Sequence, residues 1–172
     1  MSFYDLSYTR LEGGEEPLAQ HRGKVVLVVN VASRCGYTDQ YAELQALHAQ
    51  FGPRGLVVIG FPCDQFANQE PGDGAQIQAF CSARFGVTFA LSEKVDVNGR
   101  RRHPVFAFLC GALPGLLGTR RVKWNFTKFL VGRDGRARRR FSPRARPLTL
   151  LPAITAALDE SPPLGATAVQ GA

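Results

Sequence analysis

Two runs of β-branched residues give the clearest pattern in this sequence. Lys24–Val31 reads KVVLVVNV, and Leu56–Phe61 reads LVVIGF. Runs that are apolar on both faces are typical of central strands covered on both sides. Between them, mostly apolar residues fall on one face at helical spacing, at Tyr41, Leu44, Leu47, His48 and Phe51. The pattern predicts a β-α-β unit with parallel strands and a right-handed crossover.

Weaker patterns predict the remaining elements. A turn at Gly13-Gly14 predicts an N-terminal β-hairpin. Helices are predicted over residues 75–85, 104–110 and 147–159, and Thr38 or Asp39 is expected to cap the helix of the β-α-β unit. The apolar-rich stretch Trp124–Val131 predicts the first strand of a second hairpin, which turns at Arg133-Asp134-Gly135. This order of elements predicts an α/β fold with a central mixed β-sheet flanked by helices.

Length and composition limit the number and size of the domains that the chain can form. The chain has 172 residues, of which 45% are apolar, so we expect one domain with a real core over residues 1–160. The tail 161–172 is rich in Pro, Gly and Ala and is expected to be flexible. No stretch approaches the roughly 20 apolar residues of a membrane span, and the N-terminus lacks a signal-peptide pattern. We therefore expect a cytoplasmic protein, in which thiols stay mostly reduced.

The net charge of +7 is concentrated in the triplet Arg100–Arg102 and in the stretch Arg133–Arg146. A basic stretch of this kind is compatible with nucleic-acid binding. The alternative, a solvated basic face, is favoured because no interleaved aromatic residues and no recognised nucleic-acid motif accompany the charge. We therefore expect no nucleic-acid partner.

Four cysteines are present, at Cys35, Cys63, Cys81 and Cys110. No two of them form a C-x-x-C pair, which argues against a zinc site and against a dithiol of the thioredoxin type. The three histidines are scattered along the sequence and supply no metal-ligand spacing. The sequence therefore predicts neither a metal site nor a cofactor.

Cys35 lies where the first buried strand leads into the first helix, between Arg34 and Gly36. A helix N-terminus presents free backbone N–H groups and a partial positive charge, which stabilise an anion. With the neighbouring arginine, this position favours a nucleophilic thiolate at Cys35. The alternative is a small buried cysteine that only fills space.

Three uncharged donors stand out elsewhere. Gln69 lies in a long loop, Pro62–Gly74, that follows the second buried strand, so it should share the carboxyl edge of the sheet with Cys35. Trp124 and Asn125 come far along the chain, at the start of the predicted hairpin. N–H donors that converge on a sulfur would favour its thiolate without neutralising it. Taken singly, Trp124 could equally be core filler, and the two amides could be turn-forming residues.

Five motifs in order along the chain resemble the glutathione peroxidase family. They are NVASRCGYT, GFPCDQFANQEPG, FGVTF, KVDVNG and KWNFTKFLVGRDG, within a resemblance that runs from about Tyr4 to Leu158. The resemblance implies a thioredoxin-like fold and the reduction of hydrogen peroxide and organic hydroperoxides, including lipid hydroperoxides. It assigns the peroxidatic role to Cys35, and the rest of the family's catalytic tetrad to Gln69, Trp124 and Asn125.

The same resemblance bears on how oxidised Cys35 is recycled. Cysteine-containing relatives that use thioredoxin carry a resolving cysteine in a context similar to that of Cys81, so thioredoxin is the expected reductant. From the pattern alone, Cys81 is equally a core residue, four positions after Ile77 on a buried helix face. Cys63 and Cys110 are expected to be structural.

Two other interpretations use the same residues. One is a one-cysteine peroxidase that is reduced by glutathione. The other is a peroxide sensor that passes a disulfide to a partner protein. The segment between Leu109 and Val122 is short, whereas tetrameric animal relatives carry an insertion there. The resemblance therefore implies a monomer, or at most a weak dimer, with an open site.

Overall fold

The computed structural model describes residues 1–165, and its N-terminal part is a small hairpin. Strands β1 (Ser7–Thr9) and β2 (Glu15–Pro17) pair antiparallel in a two-stranded sheet of their own. Gly13 and Gly14 adopt positive φ angles of 95° and 92° in the connecting turn, a conformation that glycine adopts without steric cost. The predicted hairpin is confirmed.

A five-stranded mixed sheet forms the centre of the molecule, in the order β5-β4-β3-β6-β7. Strand β3 pairs parallel with β4 and antiparallel with β6. The parallel β3-α1-β4 unit and the mixed sheet were both predicted. The strands are β3 (Val25–Val31), β4 (Leu56–Pro62), β5 (Ala90–Leu91), β6 (Lys128–Val131) and β7 (Ala137–Phe141).

Helices cover both faces of this sheet and confirm the predicted architecture. They are α1 (Gln40–Phe51), α2 (Gly74–Phe85), α3 (Pro104–Ala112) and α4 (Leu151–Asp159). Every residue of β3 is buried, and its side chains alternate between two hydrophobic clusters. Val25, Leu27, Val29 and Val31 pack with α1, α2 and α4. Val26 and Val28 pack with α3 and the N-terminal segment, which explains why the run is apolar on both faces, with Asn30 as the exception.

The two edges of the sheet differ in character. Strand β5 forms one edge and has only two residues. Strand β7 forms the other edge and carries three consecutive arginines, Arg138, Arg139 and Arg140, the first two of which are exposed. Much of the basic charge noted in the sequence therefore lies along one edge of the sheet.

The first strand of the C-terminal hairpin begins at Lys128, so the prediction that it begins at Trp124 was wrong. Phe126 has a left-handed φ of 61°, which interrupts an extended strand. The Thr127 hydroxyl donates to the Trp124 carbonyl at 3.0 Å and holds this segment as a turn. The predicted turn at Arg133-Asp134-Gly135 is confirmed, with the Gly135 N–H donating to the Gly132 carbonyl at 2.9 Å.

The end of the described chain has no helix or strand. Residues 161–165 follow α4 without regular structure, and the rest of the predicted flexible tail, 166–172, lies outside the described residues. A domain boundary near residue 160 stays a prediction. Among residues 1–165, no helix is long and apolar enough to cross a membrane.

Candidate active site

Cys35 lies in the turn between β3 and α1, and its side chain is partly exposed. The Tyr37 N–H points at the Cys35 sulfur, with a nitrogen–sulfur distance of 3.4 Å. The Cys35 N–H donates to the Thr38 hydroxyl at 2.8 Å, and that hydroxyl donates to the Ala32 carbonyl at 2.8 Å. The turn therefore presents an accessible sulfur next to a fixed backbone donor.

The helix begins at the position that the sequence pattern indicates, but its N-terminus is not capped by a side chain. Helix α1 starts at Gln40, and Asp39 is its N-cap residue, but the Asp39 side chain makes no capping hydrogen bond. The Asp39 carboxylate pairs instead with Arg146 at 3.0 Å, and the Thr38 hydroxyl bonds within the Cys35 turn. Asp39 therefore occupies the predicted N-cap position, but neither the Thr38 nor the Asp39 side chain makes a capping hydrogen bond to α1. The local donor to the sulfur is the Tyr37 amide in the turn, three residues ahead of Gln40.

Gln69 and Asn125 meet although 56 residues separate them in sequence. The Asn125 side-chain amide donates to Gln69 Oε1 at 3.0 Å. The Arg34 N–H donates to the Gln69 carbonyl at 3.0 Å, which ties this pair to the residue before Cys35. Asn125 is fully buried, and its Oδ1 has no hydrogen-bond partner among the described residues. A buried amide oxygen without a partner is costly, and such groups concentrate at functional sites.

Backbone strain accumulates around the same pair. Ala67 and Asn68, which precede Gln69, have left-handed φ angles of 54° and 50°, and Phe126, which follows Asn125, has 61°. Non-glycine residues in this region cost about 1–3 kcal/mol each and cluster at ligand and active sites. The strain was not visible in the sequence, because none of the three positions is a glycine.

Trp124 is held beside this cluster by its backbone. The Asn30 amide donates to the Trp124 carbonyl at 3.1 Å, and Asn30 Oδ1 accepts from the Thr127 N–H at 3.1 Å. Asn30 therefore finds the partners that its burial in β3 requires. The Trp124 ring packs against Phe66 at a centroid distance of 5.7 Å, and it lines a shallow cavity together with Tyr37.

These contacts bring the four sequence-predicted residues into one region by different routes. Gln69 bonds to Asn125 directly, Cys35 connects to Gln69 through the Arg34 backbone, and Trp124 shares a cavity with Tyr37. Within residues 1–165, the Cys35 sulfur accepts a hydrogen bond only from Tyr37, and none from the Gln69, Trp124 or Asn125 side chains. The arrangement leaves the sulfur accessible to a small electrophile.

Cys81 lies on α2 and is completely buried in the cluster that also contains Ile77. Burial raises the pKa of the Cys81 thiol to about 11, and the Tyr41 hydroxyl lies next to it. The N-terminal end of α2 carries reciprocal caps. The Asp73 side chain accepts from the Gln76 N–H at 2.9 Å, and the Gln76 side chain accepts from the Asp73 N–H at 2.9 Å.

The remaining two cysteines are buried in the opposite hydrophobic cluster. Cys63 lies just after β4, and its thiol faces Gln65 Oε1 at 3.7 Å. Cys110 lies near the end of α3. Burial raises the pKa of both thiols. All four cysteines are free in this structure.

Glu70 is a buried carboxylate that no sequence pattern singled out. It is 1% exposed, and its backbone N–H donates to Asp64 Oδ1 at 2.9 Å. Burial raises the pKa of Glu70. The carboxylate lies next to Ser33, but neither oxygen has a hydrogen bond of good geometry within residues 1–165. The only sequence signal was its place directly after Gln69.

No group of three or more His, Cys, Asp or Glu side chains with metal-binding geometry occurs in the described part of the chain.

Comparison with known proteins shows to which family the chain belongs. The glutathione peroxidase family matches residues 3–110. The chain belongs to the glutathione peroxidase family. As a family member it is a thiol peroxidase, an oxidoreductase that acts on hydroperoxides and takes its electrons from a thiol reductant.

Curated relatives of this glutathione peroxidase cover most of its length. It is 50% identical over 151 residues to hydroperoxy fatty acid reductase gpx1 of Synechocystis, a match that covers 85% of this chain and 89% of the relative. It is 46% identical over 158 residues to the glutathione peroxidase-like peroxiredoxin HYR1 of Saccharomyces cerevisiae, covering 92% of this chain and 97% of the relative.

Solved structures agree on the fold of this glutathione peroxidase. The crystal structure of Trgpx in apo form is 38% identical, with a TM-score of 0.79, and covers 95% of this chain and 99% of that one. A thioredoxin-family thiol:disulfide interchange protein from Chlorobium tepidum is 13% identical with a TM-score of 0.64, covering 89% of this chain and 92% of that one. The predicted thioredoxin-like fold is thereby confirmed.

Proposed function

We propose that Cys35 is the peroxidatic residue. Its thiolate attacks one oxygen of the hydroperoxide, the O–O bond breaks, and the other oxygen leaves as an alcohol or as water after taking up a proton. Sulfur is oxidised to a sulfenic acid and the peroxide is reduced. The observation that carries this proposal is that Cys35 is partly exposed and has the Tyr37 N–H directed at its sulfur. The other three thiols are buried.

In this proposal Gln69, Trp124 and Asn125 form the polar surroundings of the reaction. Their N–H groups carry no formal charge, so they can stabilise negative charge on sulfur or on the leaving oxygen without neutralising the nucleophile. The bond between Asn125 and Gln69 and the strain at Ala67 and Asn68 support this role. The Asn125–Gln69 bond holds two of these side chains together in the structure.

For recycling, we propose that Cys81 resolves the sulfenic acid and that thioredoxin reduces the resulting disulfide. The Cys81 sulfur bonds to the Cys35 sulfur, and the sulfenic oxygen leaves as water with the Cys81 proton. Because Cys81 is buried in the packed face of α2, this step requires local opening of that helix. The same burial favours a second candidate, in which glutathione reduces Cys35 directly.

A coupled assay separates the two reductants. NADPH oxidation is measured with hydrogen peroxide and with an organic hydroperoxide, supplying either thioredoxin with its reductase or glutathione with its reductase. We expect sustained turnover with thioredoxin and little with glutathione. The reverse result would replace the two-cysteine route with direct reduction by glutathione, and no turnover with either would contradict both.

Asn125→Ala is expected to slow the reaction of the reduced protein with hydrogen peroxide by roughly 10- to 1,000-fold, the range for losing one preorganised donor. The rate is measured by stopped flow under single-turnover conditions. The melting temperature of the variant is recorded in parallel, because the buried amide also contributes to folding. A folded variant that reacts at the wild-type rate would make Asn125 a structural residue only.

We also propose that the protein acts as a monomer in the cytoplasm on hydrogen peroxide and on organic and lipid hydroperoxides. The short connection from Leu109 to Val122 supports a monomer, because tetrameric animal relatives carry an insertion there. A reducing compartment fits a chain whose four cysteines are all free. The name of the Synechocystis relative, hydroperoxy fatty acid reductase, supports the lipid part of this range.

A further inference from the structure

A cleft of about 400 Å³ is lined by residues of the Cys35 turn and of helix α2. Ser33 and Arg34, which directly precede Cys35, form one side of it. Helix α2 forms the other side up to Phe80, the residue before Cys81. The cleft therefore reaches both of the elements whose cysteines the proposed recycling step must join.

Glu70 also lines this cleft, although its side chain is almost completely buried. The residue is 1% exposed, and neither carboxylate oxygen has a hydrogen-bond partner within residues 1–165. The hydroxyl groups of Ser33, beside Glu70, and of Tyr41, beside Cys81, are buried without a partner in the same part of the chain. An unpaired buried carboxylate costs stability, and such groups concentrate at sites of chemistry.

The backbone around Glu70 is held by groups that do not belong to α2. The Glu70 N–H donates to Asp64 Oδ1 at 2.9 Å. The carbonyl of the preceding residue, Gln69, accepts from the Arg34 N–H at 3.0 Å. When α2 opens to release the resolving cysteine, these bonds keep the carboxylate beside the turn that carries the peroxidatic cysteine.

The charge of Glu70 acts on the Cys81 thiol. Burial is the main cause of the raised pKa of Cys81, and the negative charge of Glu70 raises it further. Burial also raises the pKa of Glu70, a rise that Ser33 and Lys94 oppose and to which Asp64 adds. Two neighbouring acids in a buried place resist carrying two negative charges at once. Cys81 therefore loses its proton most easily when Glu70 takes that proton up.

We propose that Glu70 carries the proton in the resolving step, a role that rests on the proposed function of Cys35 and Cys81. The Glu70 carboxylate accepts the proton of the Cys81 thiol, and the Cys81 sulfur forms a bond to the sulfur of the Cys35 sulfenic acid. The S–O bond breaks, and the leaving hydroxyl takes the proton from Glu70 and departs as water. Glu70 acts first as general base and then as general acid, and it is ionised again at the end. The sulfenic acid is reduced and the thiol is oxidised, so no further reactant is consumed.

Glu70→Gln tests this role, because glutamine has nearly the same shape and cannot accept the thiol proton. The reduced protein is mixed with one equivalent of hydrogen peroxide, quenched in acid at increasing times, alkylated and analysed by mass spectrometry. Loss of the first thiol reports the reaction of Cys35 with peroxide, and loss of the second reports disulfide formation. We expect disulfide formation to slow by about 100-fold relative to the peroxide step, the lower end of the range for a general acid–base group.

Asp64→Asn is the matched control. It removes a carboxylate close to Glu70, while the amide oxygen can still accept the Glu70 N–H. We expect this variant to form the disulfide at close to the wild-type rate. Equal slowing in both variants would show a general effect of local charge and would overturn the proposal.

A pH series distinguishes proton transfer from a structural effect. In the wild type, the rate of disulfide formation should be nearly constant where Glu70 is ionised and should fall below the pKa of Glu70, which burial raises. In Glu70→Gln the rate should rise with pH and approach the wild-type rate above about pH 9, where an exposed thiol ionises without a base. The surrounding charges, Arg34, Asp64 and Lys94, are the same in both proteins, so the difference between the two profiles reports the substituted carboxylate. An equal difference at every pH, or slower hydrogen exchange of the α2 amides in the variant, would make Glu70 a structural residue and overturn the proposal.

The same time course separates failure of this role from failure of the proposed function. If the wild type and Glu70→Gln form the disulfide at equal rates, the role of Glu70 is wrong and the two-cysteine route stands. If the wild type consumes peroxide but loses no second thiol, recycling through Cys81 is wrong, and the role of Glu70 with it. If the wild type consumes no peroxide, the assignment of Cys35 itself is wrong.

Discussion

Cys35→Ser is expected to remove hydroperoxide reduction, with a loss of more than about 1,000-fold, as for the loss of other catalytic nucleophiles. The reason is chemical. Sulfur gives up two electrons and forms a sulfenic acid, whereas a serine oxygen cannot be oxidised in this way. The Tyr37 N–H would still face the substituted side chain, so the surrounding turn has no cause to change. Peroxide consumption is measured under single-turnover conditions, without any recycling system.

Cys63→Ser is the matched control for this experiment. It makes the same substitution at a buried thiol, one that already faces the Gln65 side-chain oxygen and could keep that partner as a hydroxyl. We expect the control to reduce peroxide at close to the wild-type rate. If Cys35→Ser retains turnover, or if Cys63→Ser loses it without unfolding, the assignment of Cys35 is wrong.

Cys81→Ser is expected to reduce thioredoxin-supported turnover to the assay background. In the closed structure the Cys81 thiol is fully buried, with its pKa raised to about 11, so it is protonated near neutral pH and inaccessible to Cys35 or to thioredoxin. Opening of α2 would return the thiol to water, where burial no longer disfavours the thiolate. Without this thiol, the Cys35 sulfenic acid has no internal partner and the cycle stops after one turnover.

Two observations distinguish this outcome from simple destabilisation. One equivalent of peroxide should remove two free thiols from the wild-type protein but only one from Cys81→Ser. Cys110→Ser, the same substitution at another fully buried helical cysteine, should keep thioredoxin-supported turnover. Turnover of Cys81→Ser with thioredoxin at the wild-type rate would leave Cys81 as a core residue.

Local sequence patterns were sufficient to predict most elements of the fold. The β-branched runs at 24–31 and 56–61 correspond to β3 and β4, because strands buried on both faces need apolar side chains at every position. Helix α2 begins at Gly74, one residue before the predicted start, since Asp73 and Gln76 cap it. Alternation, spacing and turn residues act over a few positions, which is why these elements could be read from the sequence.

Features that depend on distant contacts could not be predicted. The segment 124–127 looked like a strand, but the buried side chain of Asn30 bonds to its backbone and Phe126 adopts a left-handed conformation. Likewise, the Thr38 hydroxyl bonds back to Ala32 instead of capping α1. The burial of Glu70 and the meeting of Gln69 with Asn125 are tertiary effects that single-sequence periodicity does not contain.

The three arginines along β7 have a consequence for the behaviour of the protein in a crowded cell. An edge strand offers unpaired backbone groups to any other extended chain, and long apolar edges promote aggregation. Here β7 carries Arg138, Arg139 and Arg140, while the opposite edge, β5, is too short to template another strand. A second molecule approaching β7 would have to bring like charges together. The basic stretch that first suggested nucleic-acid binding thus acts as a guard against edge-to-edge association of the sheet.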